Sequence, residues 1–194
     1  MADVPADRLL TLPNLLTLSR LPLSAVLFAC IAYEQWLAAL LVFGLAALTD
    51  WLDGLLARRL NQQSAIGRSL DPLVDKVLTG GAFIYLLGVP GALLLPWMVT
   101  VVIGRELLIT GIRGIMEAQG VKFGADWLGK LKMVLQCAVL VAVFAVLWLN
   151  SMDLAESIRI GLRFTQIALI YAMIVVTIAS GVQYVARAAR LWKA

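Results

Sequence analysis

D-W-L-D-G-L-L-A-R-R-L-N-Q-Q-S-A-I-G-R-S-L-D-P-L-V-D, Asp50 to Asp75, is the stretch on which the reading of this chain turns. It places four carboxylates inside otherwise apolar sequence. On a helix Asp50, Asp53, Gly54, Ala57 and Arg58 follow i, i+3, i+4, i+7, i+8 and share one face. Asp71 and Asp75 stand i, i+4 on the next segment, with Gly67 one turn earlier. About nine residues join the two segments, which predicts antiparallel neighbours whose acidic faces meet. Clustered carboxylates repel one another, and in apolar surroundings each is costly until neutralised. An all-oxygen donor set suits a hard cation, Mg²⁺ or Mn²⁺. Gly54 and Ala57 leave room for a ligand to approach the backbone, and Arg58 supplies a planar donor suited to phosphate. The competing reading is two membrane helices with incidental polar residues. Four aspartates in register argue against it, because Asp is expensive in such helices.

The composition around this stretch is that of a membrane protein. Hydrophobic residues make up 62% of the 194 and charged residues 14%, and mean hydropathy is +0.92. A soluble domain is about 45–50% apolar and about 25% charged. The expectation is a single all-α domain over residues 1–194, a polytopic bundle of six transmembrane helices. The spans fall at roughly 14–33, 36–60, 69–88, 94–116, 129–149 and 160–186, each near the roughly 20 residues a crossing needs. No cleavable signal peptide is evident near the N-terminus. With no histidine in the chain, a histidine base or ligand is excluded. Cys30 and Cys137 are far apart in apolar runs and read as small hydrophobes, not as a disulfide or metal pair. The net charge of +4 reflects Lys and Arg on one membrane side, not nucleic acid binding. With the N-terminus cytoplasmic, Arg58, Arg59, Arg68, Arg113, Lys122, Lys130, Lys132, Arg187 and Arg190 collect on the cytoplasmic side. The opposite side keeps only Arg159 and Arg163.

Polar residues elsewhere leave more than one reading open. Asn14, Thr17 and Arg20 in the first span serve either capping and snorkelling or a site. Lys76 either neutralises a carboxylate or snorkels. Arg105 and Glu106 lie well inside the fourth span, where an ionisable pair is a functional candidate or a structural ion pair. Arg113 and Glu117 end that span. Lys130 and Lys132 are two residues apart, so only one can face inward on a regular helix.

Carboxylate-bound metals can clamp a pyrophosphate and stabilise in-line displacement at phosphorus. A site at the membrane surface suits a substrate with a pyrophosphate head and an acyl tail. A basic cluster formed by Arg105, Arg113, Lys130 and Lys132 further implies an acceptor that itself carries phosphate. A divalent-cation channel is the alternative of a different class. It leaves Gly54, Ala57 and Arg58 unexplained, and Arg58 would repel the ion.

The spacing D-x2-D-G-x2-A-R-x8-G-x3-D-x3-D resembles the signature of the CDP-alcohol phosphotransferases, with Asp50, Asp53, Gly54, Ala57, Arg58, Gly67, Asp71 and Asp75 filling every fixed position. Three further segments resemble the bacterial branch that uses glycerol 3-phosphate: P-N-L-L-T-L-S-R (13–20), R-E-x6-R (105–113) and G-K-L-K-x3-Q (129–136). Met133 departs from the Thr expected after the second Lys. The resemblance implies two metal ions, Mg²⁺ or Mn²⁺, on Asp50, Asp53, Asp71 and Asp75, with Asp75 also the general base. It implies CDP contacts from Asn14, Thr17, Asp53, Gly54, Ala57, Arg58 and Gly67, and an acceptor-phosphate site at Arg105, Arg113, Lys130 and Lys132. The implied reaction joins CDP-diacylglycerol and glycerol 3-phosphate, giving phosphatidylglycerol phosphate and CMP. A sister enzyme would use an inositol phosphate, serine or phosphatidylglycerol instead. The implied setting is the bacterial inner membrane, among its lipids, as a homodimer with the active site facing the cytoplasm.

Overall fold

The computed structural model describes residues 12–60, 65–119, 127–152 and 154–192, with the side chains of 12–18, 50–73, 75 and 192 outside that description. Six α-helices follow one another, with no strand among the described residues: α1 Leu12–Ala32, α2 Trp36–Leu60, α3 Ala65–Tyr85, α4 Pro96–Ala118, α5 Trp127–Asn150 and α6 Glu156–Trp192. They form two compact units, Met1–Tyr85 and Leu86–Ala194. By length and composition α5 and α6 can each cross a membrane, and shorter apolar helical stretches run over Ser19–Ala32 and Trp36–Thr49.

In the first unit α1 packs against both α2 and α3. It buries Leu27 and Ile31 with Ala39, Phe43 and Ala46 of α2 and with Leu78 and Ala82 of α3. Phe28 stacks on Tyr85 with ring centroids 4.8 Å apart. A Schellman turn ends α1: the Glu34 N–H bonds Ile31 O at 3.0 Å and the Gln35 N–H bonds Cys30 O at 2.8 Å. Glu34 takes the left-handed position, φ 55°, which is usually left to glycine.

In the second unit α6 packs against α4 and α5. The buried positions of α5 run Lys132, Gln136, Val139, Leu140, Val143, Phe144 and Leu147, a stripe at helical spacing. Two polar residues therefore occupy the N-terminal end of a core stripe. On α4 the buried positions are Met98, Val99, Val102, Ile109 and Met116. Glu106 lies between Val102 and Ile109 on that stripe. Ile109, Met116, Tyr184 and Ala188 join in one cluster between α4 and α6.

Helix bounds differ from the sequence expectation by two to six residues at several ends. Pro96 occupies the first turn of α4 after an extended Leu95, so the helix starts there, where a missing N–H costs nothing. The third helix begins at Ala65, leaving four residues after Leu60 in place of a nine-residue join. The sixth continues to Trp192, because A-R-A-A-R-L carries strong helix formers and no breaker. Cys30 and Cys137 form no disulfide, and both are half-buried.

Candidate active site

The backbone of α2 is helical through Leu60 and that of α3 from Ala65. Positions 50, 53, 54, 57 and 58 therefore keep their shared register near the end of α2. Gly67 falls in the first turn of α3, and positions 71 and 75 lie one turn apart on it. The side chains of Asp50, Asp53, Asp71, Asp75, Ala57 and Arg58, and those of Asn14 and Thr17 in α1, lie outside the described set, as does the expected meeting of the two acidic faces. Among the described side chains no group of three or more His, Cys, Asp or Glu could hold a metal. The donor chemistry of the four aspartates, oxygen only in a chain without histidine, fits a hard divalent cation. Arg20, one turn after Thr17 on α1, is 1% exposed and among the largest fully buried side chains. The structure thus places it inside the first unit.

The second unit assembles a charged cluster. Glu106 Oε1 accepts from Lys132 Nζ and, at 3.3 Å, from Arg105 Nη1. The side chains of Arg105 and Lys132 are 10% and 7% exposed. Lys132 belongs to the core stripe of α5, whereas Lys130 is exposed. The helical parity that allows only one of the two inward thus selects Lys132. The Arg105 guanidinium lies 5.5 Å from the centroid of the Tyr184 ring, within cation–π range. Its Nε and Nη2 have no hydrogen-bond partner among the described residues. Gly181 leaves it room: a Cβ there would stand 3.2 Å from Arg105 Cγ. Arg105 is therefore a buried cation with donors to spare, held by Glu106 and Tyr184.

Arg113 is placed differently. Its Nε donates to Glu117 Oε1 at 2.9 Å, with the two side chains 48% and 55% exposed. This i, i+4 pair leaves the guanidinium at the surface. Sequence reading does not pick out Tyr184. Its only signal is its place one turn after Gly181, a small residue followed by an aromatic on one helix face. Met133, the departure from the expected pattern, is 47% exposed and does not belong to the Glu106–Lys132 cluster.

The chain is thus a helical membrane protein with an oxygen-donor motif on one helix pair and a buried basic cluster on another group of helices. The family model described as CDP-alcohol phosphatidyltransferase matches residues 10–179, and the chain belongs to this family. The match runs through both compact units. It makes the protein a membrane transferase of phospholipid synthesis. Among its relatives, the CDP-diacylglycerol–glycerol-3-phosphate 3-phosphatidyltransferase of Bacillus subtilis is 37% identical over 154 residues, covering 72% of this chain and 77% of the relative. The enzyme of the same name from Escherichia coli K12 is 34% identical over 186 residues, covering 91% and 94%. The one from Pseudomonas fluorescens is 40% identical over 114 residues, 57% of this chain and 58% of the relative.

Proposed function

We propose that this protein transfers the phosphatidyl group of CDP-diacylglycerol to glycerol 3-phosphate, releasing CMP and forming phosphatidylglycerol phosphate. The observation that carries this reading is the complete aspartate motif inside the family match. The relative that covers nearly the whole chain, at 94% of its own length, carries a name specifying this donor and acceptor.

Asp50, Asp53, Asp71 and Asp75 would hold two divalent ions, Mg²⁺ or Mn²⁺. Bound there, such ions supply charge neutralisation for a pyrophosphate and for the oxygen that leaves with CMP. The residues of the chain divide the remaining tasks. Asn14, Thr17, Asp53, Gly54, Ala57, Arg58 and Gly67 would seat the CDP moiety, with Arg58 as the planar phosphate donor. Asp75 takes the proton from an acceptor hydroxyl, a weak nucleophile at neutral pH that needs a positioned base. The hydroxyl oxygen bonds to the phosphorus that carries diacylglycerol. The bond from that phosphorus to the bridging oxygen breaks, and CMP departs.

The acceptor brings its own phosphate, and the basic cluster answers to it. Lys132 and Arg105 provide buried positive charge, Glu106 fixes Lys132, and Arg113 supplies a surface guanidinium. Lys130, exposed on the other side of α5, is the weaker candidate. The same reading sets six spans in the bacterial inner membrane, the active site facing the cytoplasm, and a homodimer.

An acceptor screen with purified protein and CDP-diacylglycerol tests this, with lipid products identified by mass. Phosphatidylglycerol phosphate from glycerol 3-phosphate is the expected product. Preference for serine, an inositol phosphate or phosphatidylglycerol would assign the chain to another acceptor within the family.

A further inference from the structure

A cavity of about 640 Å³ opens in the second unit where α5 stops and α6 starts, within the range of small-ligand sites. Asn150 closes α5 on one wall, and Glu156, Arg159, Arg163 and Gln166 line the other from the first turns of α6. Gly91, from the segment before α4, completes it.

The polar groups in it are unevenly satisfied. Gln166 is 1% exposed. Its Nε2 donates to Gly91 O at 3.0 Å and to Ala92 O at 2.9 Å. Two carbonyls on one nitrogen fix which way the amide faces, since only the NH₂ end can donate. Oε1 is then an acceptor with no partner among the described residues. A buried acceptor left in that state is costly. Arg159 donates through Nη2 to Met152 O at 3.2 Å, which leaves other N–H groups of its fork. Arg163 forms no ion pair among the described residues. The cavity therefore offers two guanidinium groups and a fixed, buried acceptor. A ligand that satisfies both carries an anion and a hydroxyl donor.

The position says where such a ligand comes from. Asn150 lies 18 residues along α5 from Lys132, about 27 Å at about 1.5 Å per residue. That is close to the roughly 30 Å thickness of the hydrocarbon, and α5 is long and apolar enough to cross it. The cavity thus opens at the membrane surface opposite the Lys132 end and is separate from the acceptor cluster. Beside it on α6, Ile160, Phe164 and Ile167 are 63%, 74% and 38% exposed. At i, i+4, i+7 they form one apolar stripe, next to Arg163.

We propose that this cavity binds the headgroup of an anionic glycerophospholipid from the leaflet opposite the Lys132 end. Arg159 and Arg163 hold the phosphate, Gln166 Oε1 accepts a headgroup hydroxyl, and the acyl chains lie along Ile160, Phe164 and Ile167. Asn150 and Glu156 add further acceptors for a polyol headgroup, and Glu156 disfavours an anion without one.

The test is native mass spectrometry of the full chain in mixed micelles containing phosphatidylglycerol and phosphatidylcholine of matched acyl length. Wild type should retain phosphatidylglycerol in preference. Millimolar inorganic phosphate or glycerol phosphate should not displace it, because the acyl stripe contributes. Arg159→Gln/Arg163→Gln should reduce retention by about tenfold or more, the weight of a charged hydrogen bond, and Arg163→Lys should keep part of it. Equal retention of the two lipids, unchanged retention in the double variant, or displacement by inorganic phosphate would each overturn the proposal. So would a loss as large in Arg163→Lys as in Arg163→Gln, which would trace the effect to folding and not to charge.

Discussion

Glu106 of α4 and Lys132 of α5 are joined by an ion pair whose side chains are 19% and 7% exposed. The pair ties two helices together through the only carboxylate in direct contact with Arg105 among the described residues. Removing one partner strands the other. For a fully buried pair that costs about 3–5 kcal/mol; Glu106 keeps some solvent, so about 2–3 kcal/mol is expected. Glu106→Gln and Lys132→Met should each lower the denaturation midpoint of the detergent-solubilised protein. The double variant Glu106→Gln/Lys132→Met should recover only part of the loss, because it no longer strands Lys132 but still takes from Arg105 its carboxylate partner. Additive losses in the double variant would show that the two residues act independently.

Arg113 offers a test of substrate recognition without the complication of stability. Its pair with Glu117 is exposed, and such pairs contribute little to folding. Arg113→Ala should therefore fold normally. If the guanidinium grips the acceptor phosphate, the KM for glycerol 3-phosphate should rise about 10–150-fold, the weight of a charged hydrogen bond. The KM for CDP-diacylglycerol should change little. Arg113→Lys should recover part, since a planar fork becomes a point charge. Glu117→Gln, which frees the guanidinium, should not raise the KM. Steady-state kinetics in both substrates decides the matter, and unchanged glycerol 3-phosphate kinetics in Arg113→Ala would remove that residue from the acceptor site.

Local pattern made the helices legible, while tertiary packing decided much of what the sequence left open. Six apolar runs broken by polar or Gly-Pro segments mark six helices, because a helix in an apolar chain ends where the breakers are. The ends were less legible. Glu34 terminates α1 in a left-handed conformation that glutamate does not announce. The long α6 shows that Arg187 and Arg190 need not stop a helix, since charged residues with good propensity continue it past the apolar stretch. In the basic cluster, helical parity shows that Lys130 and Lys132 cannot both face inward. The choice of Lys132 required a partner on another helix, Glu106. The proximity of Arg105 to Tyr184 is a contact between residues about eighty apart in sequence, and a single chain's spacing does not encode it. The i, i+4 pairing of Arg113 with Glu117, by contrast, was available from spacing alone.

Gly81 reports on how tightly α1 and α3 approach. A Cβ there would lie 2.2 Å from Phe28 Cζ, far inside contact distance, and the Phe28 ring is stacked on Tyr85 with an interplanar angle of 7°. The ring cannot move aside without giving up that stack. Gly81→Ala should cost about 1–3 kcal/mol, as overpacking does, and lower the melting temperature. Phe28→Leu in the same chain should restore part of the loss by clearing the space. Should Gly81→Ala melt like wild type, α1 and α3 would have room to separate at this point.

The four aspartates predict dependence on a divalent ion and a division of labour within the motif. Under the proposed assignment of these residues as metal ligands, activity should vanish in excess chelator and return with Mg²⁺ or Mn²⁺. Asp50→Asn, Asp53→Asn and Asp71→Asn should lose metal affinity and turnover together, because a neutral amide is a poorer ligand for a hard ion. Asp75→Asn should behave differently if Asp75 also takes the acceptor's proton. Asparagine keeps an oxygen that can still contact an ion but has no basicity. Turnover should then fall about 10²–10⁴-fold, the typical contribution of a general base, while binding of CDP-diacylglycerol weakens much less. Measuring donor affinity and single-turnover rate in the same preparation separates the two roles. A variant defective in affinity alone would leave Asp75 as a ligand, and the proton would then have to pass to another base.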